Sequence, residues 1–210
     1  MFNIETVDVS KTISNNKISY RLFKRVIDVF ISILLIPLLI FFTILLLFFN
    51  IFFNRGKTFF VQKRMGKDCK AFHAIKFRSM KKVEGIFRKY SDPLELDRIT
   101  SLGAILRKTK IDELPQILNV LKGDMSLIGP RPDYYEHALS FLKHDPLYKY
   151  RYSIRPGITG LTQIRLGYIE GLSATKKKSK IDIFYIKKAC LKLDAKIFLK
   201  TISTILKGFL

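Results

Sequence analysis

Two adjacent carboxylates, Asp112 and Glu113, stand in the stretch IDELPQ of a 210-residue chain whose formal net charge is +21. Such a pair is typical of a helix start, where Asp112 would be the N-cap and the helix dipole would favour an acid in the first turn. The same arrangement suits catalysis. Because Arg107, Lys108 and Lys110 come just before it, Asp112 is expected to stay ionised at neutral pH and to need no base to become a nucleophile. One or both carboxylates could also hold a divalent metal together with substrate phosphates.

Four basic residues elsewhere in the chain could bind phosphate. Arg131 lies between two prolines in GPRPD, and Arg155 precedes a proline in RPGITG. A stiff turn presents a guanidinium with little freedom to lose, and its planar fork takes phosphate oxygens bidentately. Each motif could equally be only a turn. Together with Lys76 and Arg78 in the stretch KFR, these arginines fit a pyrophosphate substrate.

The charge of the chain implies an anionic partner. Lys and Arg total 38 whereas Asp and Glu total 17, and charge alone does not choose among nucleic acid, a lipid surface and a phosphorylated substrate. Cys69 and Cys190 lie far apart, without a CxxC pair or a neighbouring histidine cluster. Neither a zinc site nor a disulfide framework is therefore expected, and a reducing cytosolic environment is the simpler expectation.

A long apolar segment follows the first residues of the chain. No charged residue occurs between Asp28 and Arg55, and the 21 residues VFISILLIPLLIFFTILLLFF are almost wholly apolar. At about 1.5 Å per residue this run reaches about 30 Å, enough to cross a bilayer. An ordinary single-span anchor is the simplest interpretation. A signal peptide is disfavoured because the run is too long and no small-residue cleavage site follows it.

Two features favour instead a helix that enters the membrane, bends and returns to the cytoplasmic face. Pro37 lies inside the run, where it removes a backbone donor and is expected to kink the helix, and Ser32 could bond a freed carbonyl. Basic residues also flank both ends of the run, which disfavours translocation of either end. They are Lys17, Arg21, Lys24 and Arg25 before it and Arg55, Lys57, Lys63 and Arg64 after it.

The sequence predicts a small, mainly helical α/β fold in three segments. Residues 1–19 are a polar tail, residues 20–54 the bent re-entrant membrane helix, and residues 55–210 a cytosolic catalytic domain. In this domain TFFVQKRM and KAFHAIKFRSM predict a β-hairpin whose turn is GKDC. Helices are expected in SLGAIL, in DELPQILNVLK before Gly123, in YYEHALSFLKHDPLYKYRY and from near Pro93, and short extended pieces in RPGITGLTQIRLG.

The chain from Ile181 to its end predicts one long amphipathic helix. Such a helix could pack on the domain core or lie in a membrane interface, and the sequence leaves both open. Its apolar face comprises Leu191, Phe198, Ile202, Ile205 and Phe209, and its basic face comprises Lys188, Lys192, Lys196 and Lys200.

Five blocks in a fixed order make the chain resemble a known family. They are FKRVIDVFISILLIPLL, VQKRMGKDCKAFHAIKFRSM, LRKTKIDELPQILNVLKGDMSLIGPRP, YSIRPGITGLTQI and DIFYIKKACLKLDAKIFLKTI. From about Tyr20 onwards the chain resembles the bacterial sugar transferases, which are monotopic polyprenyl-phosphate phosphoglycosyl transferases. Its length is similar to the small form, which lacks additional N-terminal transmembrane helices.

The resemblance implies an activity and a location. The family moves a sugar 1-phosphate from a UDP-sugar to a membrane polyprenyl phosphate, usually undecaprenyl phosphate, and releases UMP. This implies a requirement for Mg²⁺ and a place on the cytoplasmic face of the bacterial inner membrane. The reaction would be the first membrane step of surface glycan synthesis, such as that of capsule, lipopolysaccharide, exopolysaccharide or glycoprotein.

The resemblance also implies roles for individual residues. Asp112 matches the nucleophile that attacks the β-phosphate and carries a covalent phosphosugar, and Glu113 matches its partner, which would position magnesium or activate the polyprenyl phosphate. Arg131 matches the donor of a phosphate-binding turn, and Pro37 matches the break of the re-entrant helix. Lys110 stands where relatives often have a small residue. The NGR often seen after GLTQI is absent here, so the identity of the sugar is the least determined property.

Two further interpretations compete with the enzyme. A membrane-tethered basic protein could bind anionic lipid or nucleic acid without catalysis, although no RNA- or DNA-binding signature is visible and no nucleic-acid partner is expected. An inactive scaffold with the same fold would predict loss of the acidic pair, which is present. The enzyme interpretation requires that Asp112 and Arg131 lie within reach of one diphosphate.

Overall fold

The computed structural model describes residues 18–54, 56–81, 95–167 and 172–206. The tail expected at residues 1–19 lies almost wholly outside these ranges, as does the start expected near Pro93 for a helix. The described helices are α1 (Ile18–Leu34), α2 (Ile36–Phe53), α3 (Ser101–Lys108), α4 (Gln116–Lys122), α5 (Tyr135–His144), α6 (Leu161–Leu166), α7 (Leu172–Lys188) and α8 (Leu191–Leu206). The described strands are β1 (Phe59–Met65), β2 (Ala71–Phe77), β3 (Ser126–Ile128) and β4 (Gly157–Thr159).

The apolar segment forms two helices instead of one. α1 ends at Leu34, α2 begins at Ile36, and Pro37 occupies the first turn of α2, where its missing N–H costs no intrahelical bond. The predicted interruption at Pro37 is therefore confirmed. The predicted bond from Ser32 is wrong, because its hydroxyl is fully buried and has no hydrogen-bond partner among the described residues. By length and composition, α2 is the helix in the described ranges that could cross a membrane.

One face of α1 is fixed to the domain by buried polar contacts. Asp28 accepts hydrogen bonds from the Ser126 hydroxyl at 2.7 Å and from the Leu127 N–H at 3.2 Å. Arg25 donates to the Val120 and Leu121 carbonyls at 2.6 and 3.0 Å, which satisfies the open C-terminal end of α4. These contacts hold α1 against both α4 and β3.

The far end of α2 is fixed to the same domain. Asn50 donates to the Thr58 hydroxyl at 3.3 Å, and Asn54 donates to the Arg78 carbonyl at 2.8 Å. Between these polar contacts and the break, Leu39 and Leu46 are buried in a cluster with Phe77, Leu106 and Ile117. Both ends of the apolar segment therefore contact one domain.

The predicted β-hairpin is confirmed. β1 and β2 pair antiparallel from Phe59 opposite Phe77 to Met65 opposite Ala71, and the connection at Lys67–Cys69 is a 3₁₀ turn. Asn119 of α4 fastens β2, since its amide accepts from the Ile75 N–H at 3.0 Å and donates to the His73 carbonyl at 2.8 Å. The hairpin is thus joined to the helix that follows the carboxylate pair.

A second, parallel pair of strands brings two proline-containing loops together. β3 leads into GPRPD, and β4 follows RPG, with Ser126 opposite Gly157 and Ile128 opposite Thr159. The backbones approach so closely that a Cβ on Gly157 would lie 2.1 Å from the Gly129 nitrogen. Only glycine fits this crossing.

The C-terminal prediction is corrected in one respect. In place of one long helix, α7 ends at Lys188 and α8 begins at Leu191. The buried face of this helix pair packs in the main core through Tyr185, Ile186 and Ile197. Apolar side chains of α8 such as Leu199, which is 66% exposed, point away from that core. The described part of α8 therefore combines core packing with an exposed apolar surface.

The described elements form a mainly helical α/β domain with a small hairpin, as the sequence predicted. SLGAIL is confirmed as α3, which begins after a Thr100 N-cap that accepts from the Gly103 N–H at 3.0 Å. The helix expected in YYEHALSFLKHDPLYKYRY divides into α5 and a 3₁₀ segment at Pro146–Tyr152, because Asp145 and Pro146 start a new N-terminus there.

Loss of the Asp28 contact should destabilise the whole chain. Asp28→Ala leaves the buried Leu127 N–H without its acceptor and removes the 2.7 Å bond from the Ser126 hydroxyl, which keeps the Ile128 carbonyl at 3.0 Å. We therefore expect a loss of about 2 kcal/mol of unfolding free energy. The exposed acid Asp97 supplies the matched control, Asp97→Ala, which should change little. Thermal unfolding in detergent measures both variants, and equal midpoints would contradict the assigned role of Asp28.

Candidate active site

The carboxylate pair lies in a tight turn instead of at a helix N-cap. Ile111–Glu113 form a 3₁₀ turn entered through Lys110, whose φ is 60°, and Pro115 is the N-cap residue of α4. The N-cap prediction for Asp112 is therefore wrong. The residues before α4 instead close a tighter turn, with the Glu113 N–H donating to the Lys110 carbonyl at 3.1 Å and the Leu114 N–H donating to the Ile111 carbonyl at 3.0 Å. Gly123 ends α4 with a φ of 98°, as predicted.

Glu113 is held by two cations. It is 6% exposed, and the Arg131 guanidinium binds both of its oxygens, with a distance of 3.0 Å from Nη1 to Oε2. Lys76 Nζ donates to Oε1 at 2.9 Å. Burial alone would raise the pKa of this carboxyl, but Arg131 and Lys76 outweigh it and hold the pKa of Glu113 well below its usual value. Glu113 is thus a fixed anion.

Asp112 is also buried, at 7% exposure, but its surroundings differ. Its Oδ1 atom is buried and has no hydrogen-bond partner in the described part of the chain. Burial, reinforced by the neighbouring charge of Glu113, raises the pKa of Asp112, although Lys76, Lys110 and Arg131 oppose the shift. The expectation that a helix end and basic neighbours would favour the ionised form is corrected, because the helix starts later and Glu113 takes the nearest cations.

Of the other two candidates for phosphate binding, Arg78 lines the cleft of the acidic pair and Arg155 does not. Arg78 lines the same cleft as the acidic pair, and its Nη2 atom donates to the Asn54 carbonyl. Arg155 does not line that cleft. Its Nε atom donates at 2.8 Å to the carbonyl of Gly123, at the C-terminal end of α4. The structure therefore brings Lys76 and Arg131 to Glu113, places Arg78 elsewhere in the lining of the same cleft, and leaves Arg155 outside it.

A buried arginine that the sequence analysis did not single out supports the GPRPD turn. Arg151 is 1% exposed. It donates to Asp182 Oδ2 at 3.0 Å from Nε and 2.8 Å from Nη2, also bonds Asp133, and donates to the Arg131 carbonyl at 2.9 Å. The alternation of tyrosine and basic residues in YKYRY was its only signal, since Tyr148 and Tyr152 both donate to Asp133 at 2.9 Å.

The acidic pair and its cations open on a cleft of about 1120 Å³. One part of its lining is apolar and comes from the apolar segment, through Leu35, Leu38 and Phe42. Another part is polar and contains Arg131 and residues of α7. The cleft therefore connects the break between α1 and α2 with the carboxylates. It can accept a molecule that is apolar at one end and phosphorylated at the other.

A cation could be held here only with help from a ligand. In the described ranges no group of three or more His, Cys, Asp or Glu side chains forms a metal cluster. Asp112 Oδ1 has lone pairs available, whereas both oxygens of Glu113 are engaged. This donor set fits Mg²⁺, which is often bound by one or two carboxylates together with substrate phosphates and water.

The arrangement suits attack by a carboxylate on a phosphorus atom. Asp112 offers an oxygen to which no described residue donates, and Arg131 and Lys76 bring positive charge to the adjacent Glu113. Cations lower the repulsion between an anionic nucleophile and a phosphate ester. The site thus has the parts of a phosphoryl-transfer centre.

Comparison with known proteins agrees with this chemistry. Residues 19–208 match the family described as bacterial sugar transferase, and the chain belongs to that family. It is 41% identical over 191 residues to the UDP-N-acetylgalactosamine-undecaprenyl-phosphate N-acetylgalactosaminephosphotransferase of Aeromonas hydrophila, over 90% of this chain and 45% of that protein.

Two other relatives are matched over more of their own length. The chain is 38% identical over 192 residues to the UDP-glucose:undecaprenyl-phosphate glucose-1-phosphate transferase of Caulobacter vibrioides, over 90% of this chain and 72% of that protein. It is 36% identical over 203 residues to the exopolysaccharide production protein PSS of Rhizobium leguminosarum bv. phaseoli, over 89% of this chain and 98% of that protein. The chain thus spans less than half of the Aeromonas relative and most of the other two.

Replacing each carboxylate by its amide should change the unfolding free energy in opposite directions. Asp112→Asn removes a buried charge that has no donor on Oδ1, so the unfolding free energy should rise by about 1 kcal/mol. Glu113→Gln leaves Arg131 and Lys76 without their anion and should lower it by about 3 kcal/mol. Thermal unfolding of both variants at about pH 8 measures the contrast.

The pKa shifts of Asp112 and Glu113 predict how the stability effect of each variant changes with pH. A raised pKa means that protonation of Asp112 stabilises the folded state, so the advantage of Asp112→Asn should shrink as the pH falls towards about 4. The lowered pKa of Glu113 means that its contribution persists at neutral pH and is lost only as the pH falls through that low pKa. Destabilisation by both variants at neutral pH would contradict the assigned difference between the carboxylates.

Proposed function

We propose that this chain transfers a sugar 1-phosphate from a UDP-sugar to undecaprenyl phosphate, through a covalent phosphosugar on Asp112 and with release of UMP. The observation that carries the proposal is the contrast between the carboxylates: Arg131 and Lys76 bind Glu113, whereas no described residue donates to Asp112 Oδ1. Two of the relatives described above carry such an activity in their names, with different UDP-sugars.

In the first step the Asp112 carboxylate attacks the β-phosphorus of the donor. A P–O bond to Asp112 forms, the bond between the β-phosphorus and the bridging oxygen breaks, and that oxygen leaves with UMP. The group left on the enzyme is the sugar 1-phosphate. Arg131 and Lys76 stabilise the charge that spreads over the non-bridging oxygens, and the raised pKa of Asp112 keeps its carboxylate basic enough to attack.

In the second step a phosphate oxygen of undecaprenyl phosphate attacks the same phosphorus. The new P–O bond joins sugar phosphate to lipid phosphate, and the bond to Asp112 breaks and regenerates its carboxylate. Because the phosphate of the lipid acceptor is fully ionised, the second step needs no general base. Glu113 holds Arg131 and Lys76 in place whenever no phosphate has drawn them away.

Magnesium is part of the proposal. Asp112 and, when a substrate has drawn Arg131 or Lys76 away, Glu113 would hold the ion together with phosphate oxygens. When bound, the ion supplies Lewis-acid stabilisation of phosphate charge. The residues of the chain remain responsible for orienting the diphosphate and excluding water from Asp112.

We further propose that the apolar segment enters the cytoplasmic leaflet of the bacterial inner membrane and returns. Asp28 in α1 and Asn54 after α2 both contact the same domain, which supports a return to one face over a single span. The exposed apolar side chains of α1 and α2, such as Phe23, Phe30 and Phe48, would then face lipid. The reaction would begin the membrane stage of a surface glycan.

The reaction is tested by release of UMP from a panel of UDP-sugars with undecaprenyl phosphate and Mg²⁺. We expect turnover with at least one donor, loss of at least about 10³-fold in Asp112→Asn, and a mass increase equal to one sugar phosphate on the unmodified chain when the acceptor is omitted. Normal turnover by Asp112→Asn would refute the nucleophile. UMP release by the control Asp97→Ala should match that of the unmodified chain, since Asp97 is exposed outside the acidic pair.

The topology is tested by cysteine labelling in intact cells. Cys69 and Cys190 are free and are replaced by serine, and Ser10→Cys is introduced as the reporter. A re-entrant segment predicts no reaction of Ser10→Cys with an impermeant maleimide until the inner membrane is opened. A Lys177→Cys variant on α7 serves as the cytoplasmic reference. Labelling of Ser10→Cys from outside would establish a span instead.

A further inference from the structure

Lys178 of α7 faces the cleft and forms no hydrogen bond to any residue that the structure describes. In the run KKKSK the side chains of Lys176, Lys177 and Lys180 are exposed, whereas Lys178 lines the cleft and its side chain is 24% exposed. Lys178 lies one turn before the buried Asp182, so the two share the face of α7 that is turned to the domain. The Lys178 ammonium therefore points towards the domain, whereas the three neighbouring lysines of α7 point to solvent.

The nearby carboxylates do not complete the coordination of Lys178. Its nearest carboxylate oxygen in a salt bridge is Asp133 Oδ1, at 3.9 Å, which is too far for a hydrogen bond. The other oxygen of Asp133 already accepts from Tyr148, Tyr152 and Arg151. Asp182, in turn, accepts from Arg151 and from the Thr162 hydroxyl. Within the described ranges, Lys178 thus has the long salt bridge to Asp133 but no acceptor for the three hydrogen-bond donors of its ammonium.

The surroundings of Lys178 favour an added anion. Burial and the neighbouring charge of Arg151 lower the pKa of Lys178 to about 8, and Arg131 and Arg64 act in the same direction against Asp182. A phosphate group between Lys178 and Arg131 would offset these positive charges and accept the unused hydrogen bonds. Such a ligand would lie on the polar side of the GPRPD turn, whose Arg131 side chain already contacts Glu113.

We propose that Lys178 binds the nucleoside-bearing phosphate of the donor, the phosphate that departs with the nucleotide. This assignment rests on the proposed function. It favours the donor over the lipid phosphate because α7 packs with α6 and the Pro146–Tyr152 segment. The apolar lining at Leu35 and Phe42 belongs instead to the cluster around Phe77 and Ile117. A water-soluble nucleotide fits the part of the cleft beside α7, and a polyprenyl chain fits the apolar part at Leu35 and Phe42.

The test compares Lys178→Met with Lys177→Met, a control of equal charge change on the exposed face of the same helix. Full-length protein in lipid nanodiscs is titrated with UMP by calorimetry, and the KM values for UDP-sugar and undecaprenyl phosphate are measured separately. Loss of one charge-assisted contact should weaken UMP binding by about tenfold or more. The donor KM should rise in Lys178→Met while the acceptor KM stays the same, and Lys178→Arg should recover part of the loss.

Each outcome decides one question. UMP affinity in Lys178→Met equal to that of the unmodified chain, which itself turns over, would overturn this inference and leave the proposed function standing. A rise confined to the acceptor KM would assign Lys178 to the lipid phosphate and also overturn it. Failure of the unmodified chain both to bind UMP and to use any UDP-sugar would refute the proposed function as well.

A measurement on the unmodified chain keeps the inference testable even if Lys178→Met does not fold. Bound UMP should protect Lys178 from acetylation, as measured by mass spectrometry, and leave the exposed Lys177 equally reactive. Equal modification of Lys178 with and without saturating UMP would overturn the assignment.

Discussion

The pairing of Glu113 with Arg131 and Lys76 is the interaction on which the rest of the site depends. It joins three parts of the chain that are far apart in sequence: strand β2, the turn before α4 and the loop after β3. A buried ion pair of this kind is costly unless each charge is well coordinated. Here both oxygens of Glu113 are occupied, and Arg131 is supported from behind by Arg151 through its carbonyl. The pair consequently fixes where the neighbouring Asp112 can be.

The opposite pKa shifts of Asp112 and Glu113 follow from their different partners. One carboxylate receives nearly all of the local positive charge, so its neighbour is left buried, under-coordinated and more basic than usual. A buried group without a partner lowers the stability of a fold, and such groups persist where they serve a function. Asp112 fits that description. The fold therefore retains an unfavourable group at the point where chemistry is expected, and compensates through Glu113.

Local sequence signals predicted the elements well and the contacts between them poorly. The hairpin, α3, the Gly123 end of α4 and the interruption at Pro37 all arise from residues within one or two turns of each other, so composition and spacing were sufficient. The N-cap assignment failed because the chain closes a 3₁₀ turn at Ile111–Glu113 before α4 begins, and the spacing of acidic and apolar residues does not distinguish the two. The single C-terminal helix failed because helical periodicity alone gave no sign of the break after Lys188.

The sequence indicated most residues of the candidate site but not the contacts between them. Lys76 and Arg131 lie beside the acidic pair, but their partner is Glu113, and nothing local to either residue indicates that pairing. Their binding of phosphate stays a prediction. Arg155 has the same Arg-Pro signature as Arg131, yet the crossing of β3 and β4 leads it to Gly123 instead. Such outcomes depend on tertiary packing, which single motifs do not encode. Arg151 was missed for the same reason.

The attachment of both α1 and α2 to the domain has a mechanical consequence. Because Asp28 and Asn54 secure the two helices at separate points, the domain has no flexible stalk at this segment on which to tilt or rise. In a bilayer, the depth to which the helices sink would then set the height of Asp112 above the acyl chains. A lipid substrate would have to lift its headgroup to a fixed level, so membrane thickness and headgroup packing would become determinants of the reaction rate.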